Sequence, residues 1–204
     1  MSEPVTVQQA EPRERALAAA ERLVAVHGFE RVRLRDVAKE AGVSIGALQH
    51  YFETRDGLLR ETFIWSAGRR AREWAAAADH AGDPWARLVA LLERAFREDE
   101  FELRSTIWVE FVAAGSRDEE IRAMLVDLYE QWRRPLEAAI ADGVEAGLFA
   151  PVAPVDDIAD VLLAQIDGAE IAAMVAPSRV TVPRLRDHVL AVARMALRVE
   201  ADAP

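Results

Sequence analysis

The sequence predicts an all-α protein of about nine helices, with an N-terminal helix-turn-helix domain followed by a larger helical domain. Three observations carry that prediction. Apolar residues recur at i, i+3, i+4 and i+7 along most of the 204 residues, the spacing of one buried helix face. Alanine, leucine, arginine and glutamate are all abundant, while continuous β-branched and aromatic runs of the kind that mark strands are scarce. Serine, threonine and aspartate caps, with glycine and proline breaks, punctuate the apolar stretches where helices should start and stop.

The opening "MSEPVTVQQAEP" has no helical period and is expected to form a flexible arm over residues 1–11. A helix follows from about Pro12 to His27, with Ala16, Leu17, Ala20, Leu23 and Val24 on one face and Gly28 in the position a C-cap favours. Short helices over Leu34–Ala41 and Ile45–Tyr51 come next, joined by Gly42-Val43-Ser44. Thr54 should cap a long fourth helix running from Arg55 toward His80. Asp83 should cap the next one, with Pro84 at its first position, where a missing N–H costs nothing. "AGSRDEE" contains Ser116 and Glu119 at capping-box spacing. The helix beyond it holds Pro135 and should kink there or split in two. Two last helices are expected over about 155–176 and 182–199. The domains are then a helix-turn-helix domain at 12–54, a connecting helix at 55–80, and a ligand-binding and dimerisation domain at 81–204.

Just over half of the residues are apolar, enough for a substantial core. Absence of cysteine excludes disulfides, thiolate metal sites and cysteine nucleophiles. The four histidines (27, 50, 80 and 188) show no metal-ligand spacing, and no phosphate-binding or dinucleotide fingerprint accompanies them. No cofactor, metal or catalytic residue is therefore expected. Neither a secretion signal nor an apolar run long enough for a membrane span is visible, so a cytoplasmic location without a membrane partner is expected.

The net charge is −10, but it is unevenly spread: residues 1–65 carry −1 and residues 66–204 carry −9. "RVRLRDVAK" (31–39) holds four cations and one anion. Local charge governs what binds within a Debye length of about 8 Å, so an acidic body can still present a basic edge to phosphate.

Residues 42–46, "GVSIG", admit two readings. As G-x-S-x-G they would be the nucleophile elbow of a serine hydrolase, which needs a buried strand ahead of the serine. The preceding "LRDVAKEA" is helical instead: Leu34, Val37, Ala38 and Ala41 share one face, and Arg35, Asp36, Lys39 and Glu40 the other. No oxyanion-hole stretch is present. As the turn of a helix-turn-helix the segment fits residue by residue. Gly42 can take the positive φ of a sharp turn, Val43 and Leu48 are apolar where two helices share a core, and Ser44 can cap the helix that follows.

The whole stretch "FERVRLRDVAKEAGVSIGALQHYFETRDGLL" (29–59) resembles the DNA-binding domain of the TetR family of bacterial transcriptional regulators. The resemblance covers about residues 13–65. It rests on "GF" after the first helix, the D-V-A-x-x-A-G-V-S core, the pair Tyr51-Phe52, and T-R-D-x-L-L at the start of the fourth helix. Further on, "WVEFVAAGSRDEEI", "LYEQWRRPLEAAIADGVEAGLF" and "QIDGAE" resemble the BetI-type branch, whose best-known relatives sense choline.

The resemblance implies a regulator, in the usual sense a repressor, that binds a palindromic operator in double-stranded DNA as a homodimer and is released by a small-molecule effector. A helical DNA-binding regulator without such an effector is the alternative. The implied DNA contacts are Arg35, Ser44, Ile45, Gly46, Ala47, Gln49, His50, Tyr51, Thr54 and Arg55. Arg can bind a guanine edge bidentately and Gln an adenine edge, and Ala47 could meet a thymine methyl. Many relatives carry polar or charged residues near 45 and 47 and a tyrosine near 49, so readout here should rest on Arg35 and Gln49. By the same resemblance, Trp65, Trp108, Glu110, Phe111, Tyr129, Trp132, Gln165 and Glu170 are candidates for an effector pocket. Aromatic walls with a carboxylate would suit a cation; a neutral hydrophobic effector fits the same composition. The last two helices should pair across a two-fold axis, with Ile166, Gly168, Ala169, Ala173, Leu190, Ala193 and Leu197 as the expected interface.

Overall fold

The computed structural model describes residues 11–79, 82–175 and 180–199. The expected arm therefore lies, apart from Glu11, outside the described residues, as does His80 at the expected end of the fourth helix. Among the described residues the elements are α1 (Pro12–His27), a 3-10 turn (Phe29–Arg31), α2 (Leu34–Ala41), α3 (Ile45–Phe52), α4 (Arg55–Asp79), α5 (Pro84–Ala95), α6 (Glu98–Gly115), α7 (Glu119–Glu145), α8 (Val155–Val175) and α9 (Val182–Leu197). No described residue lies in a strand.

Local chemistry places most boundaries. Gly42 takes φ 65° and ψ 38°, left-handed values that end α2 at little cost for a residue without Cβ. The Ser44 hydroxyl accepts from the Ala47 amide at 3.0 Å and Thr54 Oγ1 from the Gly57 amide at 3.0 Å, so both expected N-caps form. Asp83 Oδ1 accepts from the Ala86 amide at 2.9 Å, with Pro84 at the first helical position.

One expectation is corrected, one is narrowed, and one break is new. Asp118, not Ser116, caps α7: its Oδ1 accepts from the amides of Glu120 (2.9 Å) and Ile121 (3.1 Å), whereas the Ser116 hydroxyl donates back to Ala113 O. Of the two outcomes expected at Pro135, a kink or a split, the split does not occur: α7 is one continuous helix through it. The stretch from Pro84 to Gly115, in which the sequence marks no break, holds two helices that part at Phe96, whose backbone (φ −113°, ψ 30°) leaves the helical region. Arg104 stabilises that break. Its guanidinium donates to Arg94 O and Ala95 O, carbonyls left without intrahelical partners at a helix end, and Phe96 stacks on Phe101 with centroids 5.7 Å apart.

The chain forms two compact units, Met1–Gly68 with Thr106–Met124, and Arg69–Ser105 with Leu125–Pro204. In the first, Ala16, Leu17, Ala20 and Val24 of α1 are buried with Val37, Ala38 and Ala41 of α2, Leu48 and Phe52 of α3, and Leu58 and Leu59 of α4. Arg15 Nε donates to Ala41 O at 3.2 Å, and buried Ser66 donates to buried Glu21 at 2.5 Å. The second unit is built on Leu88, Leu91 and Leu92 of α5, Leu136 and Ile140 of α7, Ile158, Leu162 and Ile166 of α8, and Val189, Ala193 and Leu197 of α9. Ala150 N and Val152 N donate to Leu197 O and Ala196 O, both at 2.9 Å, fastening the segment after α7 to the end of α9.

Candidate nucleic-acid interface and coupling residues

The helix-turn-helix follows from one apolar seam. Only Leu48 and Phe52 of α3 are buried. They stand four residues apart, the spacing that puts both on one face. Everything opposite that seam faces outward. Ile45 and Tyr51 are 47% and 40% exposed, Ser44, Gly46, Gln49 and His50 are exposed, and Ala47 is half-buried. Val43 N donates to Ala38 O at 3.0 Å, closing the turn that aims α3. Arg35 on α2 is exposed, its Nε 3.7 Å from Asp36 Oδ1; so open a pair is worth little in water, and the guanidinium is available. Thr54 is exposed at the start of α4, where free N–H groups and the helix dipole favour an anion.

Arg55, among the implied DNA contacts, has partners within the chain. Its guanidinium donates to Val32 O at 2.8 Å, to Phe29 O, and to Asp56 Oδ1 at 2.6 Å, and lies 5.3 Å over the Phe29 ring. It is engaged inside the head, holding the turn after α1 against the start of α4. No sequence motif signals that role.

The residues expected to wall an effector pocket divide between the two units. Trp65, Trp108, Glu110 and Phe111 belong to the first. Trp65 packs against the head cluster and Trp108 is buried. Phe111 is fully buried, stacked on Phe63 with centroids 4.0 Å apart and meeting Phe29 edge-on at 5.7 Å. Its ring is part of the core of this unit. Glu110 Oε2 accepts from the Phe29 amide at 3.0 Å, so this carboxylate also has a partner within the first unit.

Tyr129, Trp132, Gln165 and Glu170 belong to the second unit. Tyr129 and Trp132 are half-buried against its core. The Tyr129 hydroxyl donates to Asp167 Oδ2 at 3.0 Å; burial, then the Asp167 carboxylate, holds the phenol above its ordinary range. Glu170 is 5% exposed, with Oε1 3.3 Å from Arg104 Nε. Burial pushes its carboxyl up, against the pull of Arg104 and Arg70. Gln165 is exposed, on the face of α8 opposite the core.

The expected dimer residues lie mostly inward. Ile166, Ala169, Ala193 and Leu197 are buried inside the chain's own core, and Ala173 and Leu190 pack against it; of the set only Gly168 is exposed. The outward stripe runs out of phase with them, through Val161 (48% exposed), Gly168, Ile171 (53%) and Val175 (78%) on α8, and through His188, Ala191 and Met195 (68%) on α9. The helical period could have found these residues, because Leu162, Leu163 and Ile166 claim the opposite face. Among the described residues, no helix is long and apolar enough to cross a membrane.

A recognition-type helix with one buried seam, aimed by a left-handed glycine and capped by a serine, defines a helix-turn-helix regulator. Residues 16–62 match the family described as "Bacterial regulatory proteins, tetR family", and residues 84–198 match "BetI-type transcriptional repressor, C-terminal". The chain belongs to the TetR family, with a C-terminal part of BetI type. The HTH-type transcriptional regulator BetI of Rhizobium meliloti is 31% identical over 75% of this chain and 73% of its own length. That of Agrobacterium fabrum is 33% identical over 60% of each chain, so the match spans well under two thirds of that relative. Among solved structures, a putative transcriptional regulator from Saccharomonospora viridis in complex with choline superposes with a TM-score of 0.81 and 26% identity, over 89% of this chain and 94% of that one. These relatives are transcriptional regulators, not enzymes, and the serine-hydrolase reading of "GVSIG" falls with them.

Proposed function

We propose that the protein is a repressor that binds a palindromic operator as a homodimer and leaves it when a small molecule occupies the second unit. The observation that carries the reading is the exposed face of α3. Ile45, Gly46, Gln49, His50 and Tyr51 are held outward by a helix whose other face is core. Arg35 and Gln49 read base edges, Ser44, His50, Tyr51 and Thr54 meet the backbone, and Ile45 and Ala47 supply apolar contact. Arg55 contributes by holding the head in shape. The stripe Val161–Gly168–Ile171–Val175 with Ala191 and Met195 forms the two-fold interface, since two recognition helices must stand about 34–36 Å apart to meet successive major-groove faces.

The effector sits by Tyr129, Trp132 and Glu170 in the second unit. Ligand release follows if the effector binds the DNA-incompatible state more tightly than the operator-bound state. Selection of duplexes from a randomised pool at near-physiological salt tests the reading. A palindrome is expected, and release of the selected duplex is then screened with choline and with neutral hydrophobic compounds. Recovery of no preferred sequence by refolded, ligand-free protein would sink the proposal.

A further inference from the structure

Phe29 is held by three groups at once. Its amide donates to Glu110 Oε2 on α6 at 3.0 Å, its carbonyl accepts from Arg55 on α4, and its ring lies between the Arg55 guanidinium and the edge of Phe111. The sequence makes room for this arrangement. Gly28 takes φ 79°, and a Cβ added there would stand 3.3 Å from Glu110 Oε1. No residue of the turn Phe29–Arg31 is fully buried; the Phe29 ring packs against the head core, and the two tethers fix its peptide groups. A cleft of about 260 Å³ lined by Phe29, Arg55, Arg60, Arg117 and Ile121 opens beside it, giving water access to any group that loses its partner.

We propose that Glu110 is a positioning residue for DNA binding. Its carboxylate holds the Phe29 peptide against α6 and so sets where α2 and α3 stand. The inference rests on the regulator reading above. A carboxylate bonded to a backbone N–H is a charge-assisted contact, roughly twice as strong as a neutral one. The opposite end of the same residue is fixed by Arg55, so a displaced Glu110 pulls on a turn that cannot follow freely.

The test compares the intact wild-type protein with Glu110→Ala and Glu110→Gln, the second keeping an acceptor oxygen without the charge. Amide hydrogen exchange is read along residues 28–37, and binding to the selected duplex by fluorescence anisotropy. Losing the bond should speed exchange at Phe29 and weaken operator binding in Glu110→Ala by about tenfold each. Protection across α1 should stay unchanged, and Glu110→Gln should recover most of both losses. Unchanged operator binding in Glu110→Ala overturns the proposal. So does a loss of protection spread over the whole first unit, or a Glu110→Gln variant as impaired as Glu110→Ala. If the wild type itself selects no duplex, the regulator reading fails instead; the exchange at Phe29 still decides whether Glu110 holds the turn.

Discussion

Arg104 and Glu170 form a pair in the interior of the second unit, Nε to Oε1 3.3 Å, with side chains only 12% and 6% exposed. The same guanidinium closes the last carbonyls of α5. One side chain thus joins α5, α6 and α8, and both of its duties can be read separately.

Replacing Arg104 by Ala should destabilise the protein by about 3–5 kcal/mol at neutral pH, because it leaves a buried carboxylate without its partner. Arg104 pulls the Glu170 carboxyl down against the upward push of burial, so its removal raises that pKa further. A raised carboxyl favours the folded state below its unfolded value of about 4.3, and that advantage disappears as pH rises through the folded value. The loss should therefore be larger at pH 8 than at pH 5, with a pH-independent remainder from the uncapped end of α5. Urea unfolding at the two pH values checks this; a loss of equal size at both removes Glu170 from the account.

Arg35→Ala and Gln49→Ala should each cost about 1–3 kcal/mol in operator binding, a cost that depends on the base faced. Anisotropy titrations against the selected palindrome and its single-base variants make the comparison. An equal loss on every sequence would reassign both residues to the phosphate backbone.

Ile171→Glu should disrupt the dimer and leave the fold intact. A two-fold interface feels each substitution twice, so the dimer dissociation constant should rise by at least about a hundredfold, roughly 3 kcal/mol. Ile166→Glu, five residues earlier on the buried face, should unfold the chain by burying an unpaired charge. Sedimentation velocity with circular dichroism separates the two, and a wild type that is monomeric at micromolar concentration would refute the interface.

Asp118→Ala should lower stability by about 0.5–2 kcal/mol, the range for loss of a helix N-cap, while Ser116→Ala should be close to neutral. Thermal melts of the two variants suffice. The reverse order would restore the capping box at Ser116.

Much of the head was legible in the sequence because its signals are local. Gly42 and Ser44 act on their immediate neighbours, and the ends of α1 and α2 fall where the helical period and Gly28 place them. The interior breaks were less legible. Pro135 is the strongest helix-breaking residue in its stretch, yet the helix runs through it. Phe96 carries no such mark, and the break there is held by Arg104, whose contacts come from the next helix. Ser116 and Asp118 are both competent caps two residues apart, and spacing alone cannot choose between them. Glu110 and Arg55 are of the types expected at a binding site, but their partners are backbone groups of the Phe29 turn, which no periodicity encodes. For α8 the pattern held the answer: Leu162, Leu163 and Ile166 claim one face, which leaves Val161, Gly168 and Ile171 on the other.

The path of the chain between the two compact units bears on how such a protein can be recombined. The main chain passes from one unit to the other within α4, again within α6, and a third time within α7. Grafting a foreign sensor onto this head by a single splice after Gly68 would discard Thr106–Met124, and with them Phe111 beneath Phe63 and Glu110 beneath Phe29. The transferable module is a discontinuous one, and a chimera that keeps its DNA-reading part sound must carry two stretches of chain rather than one.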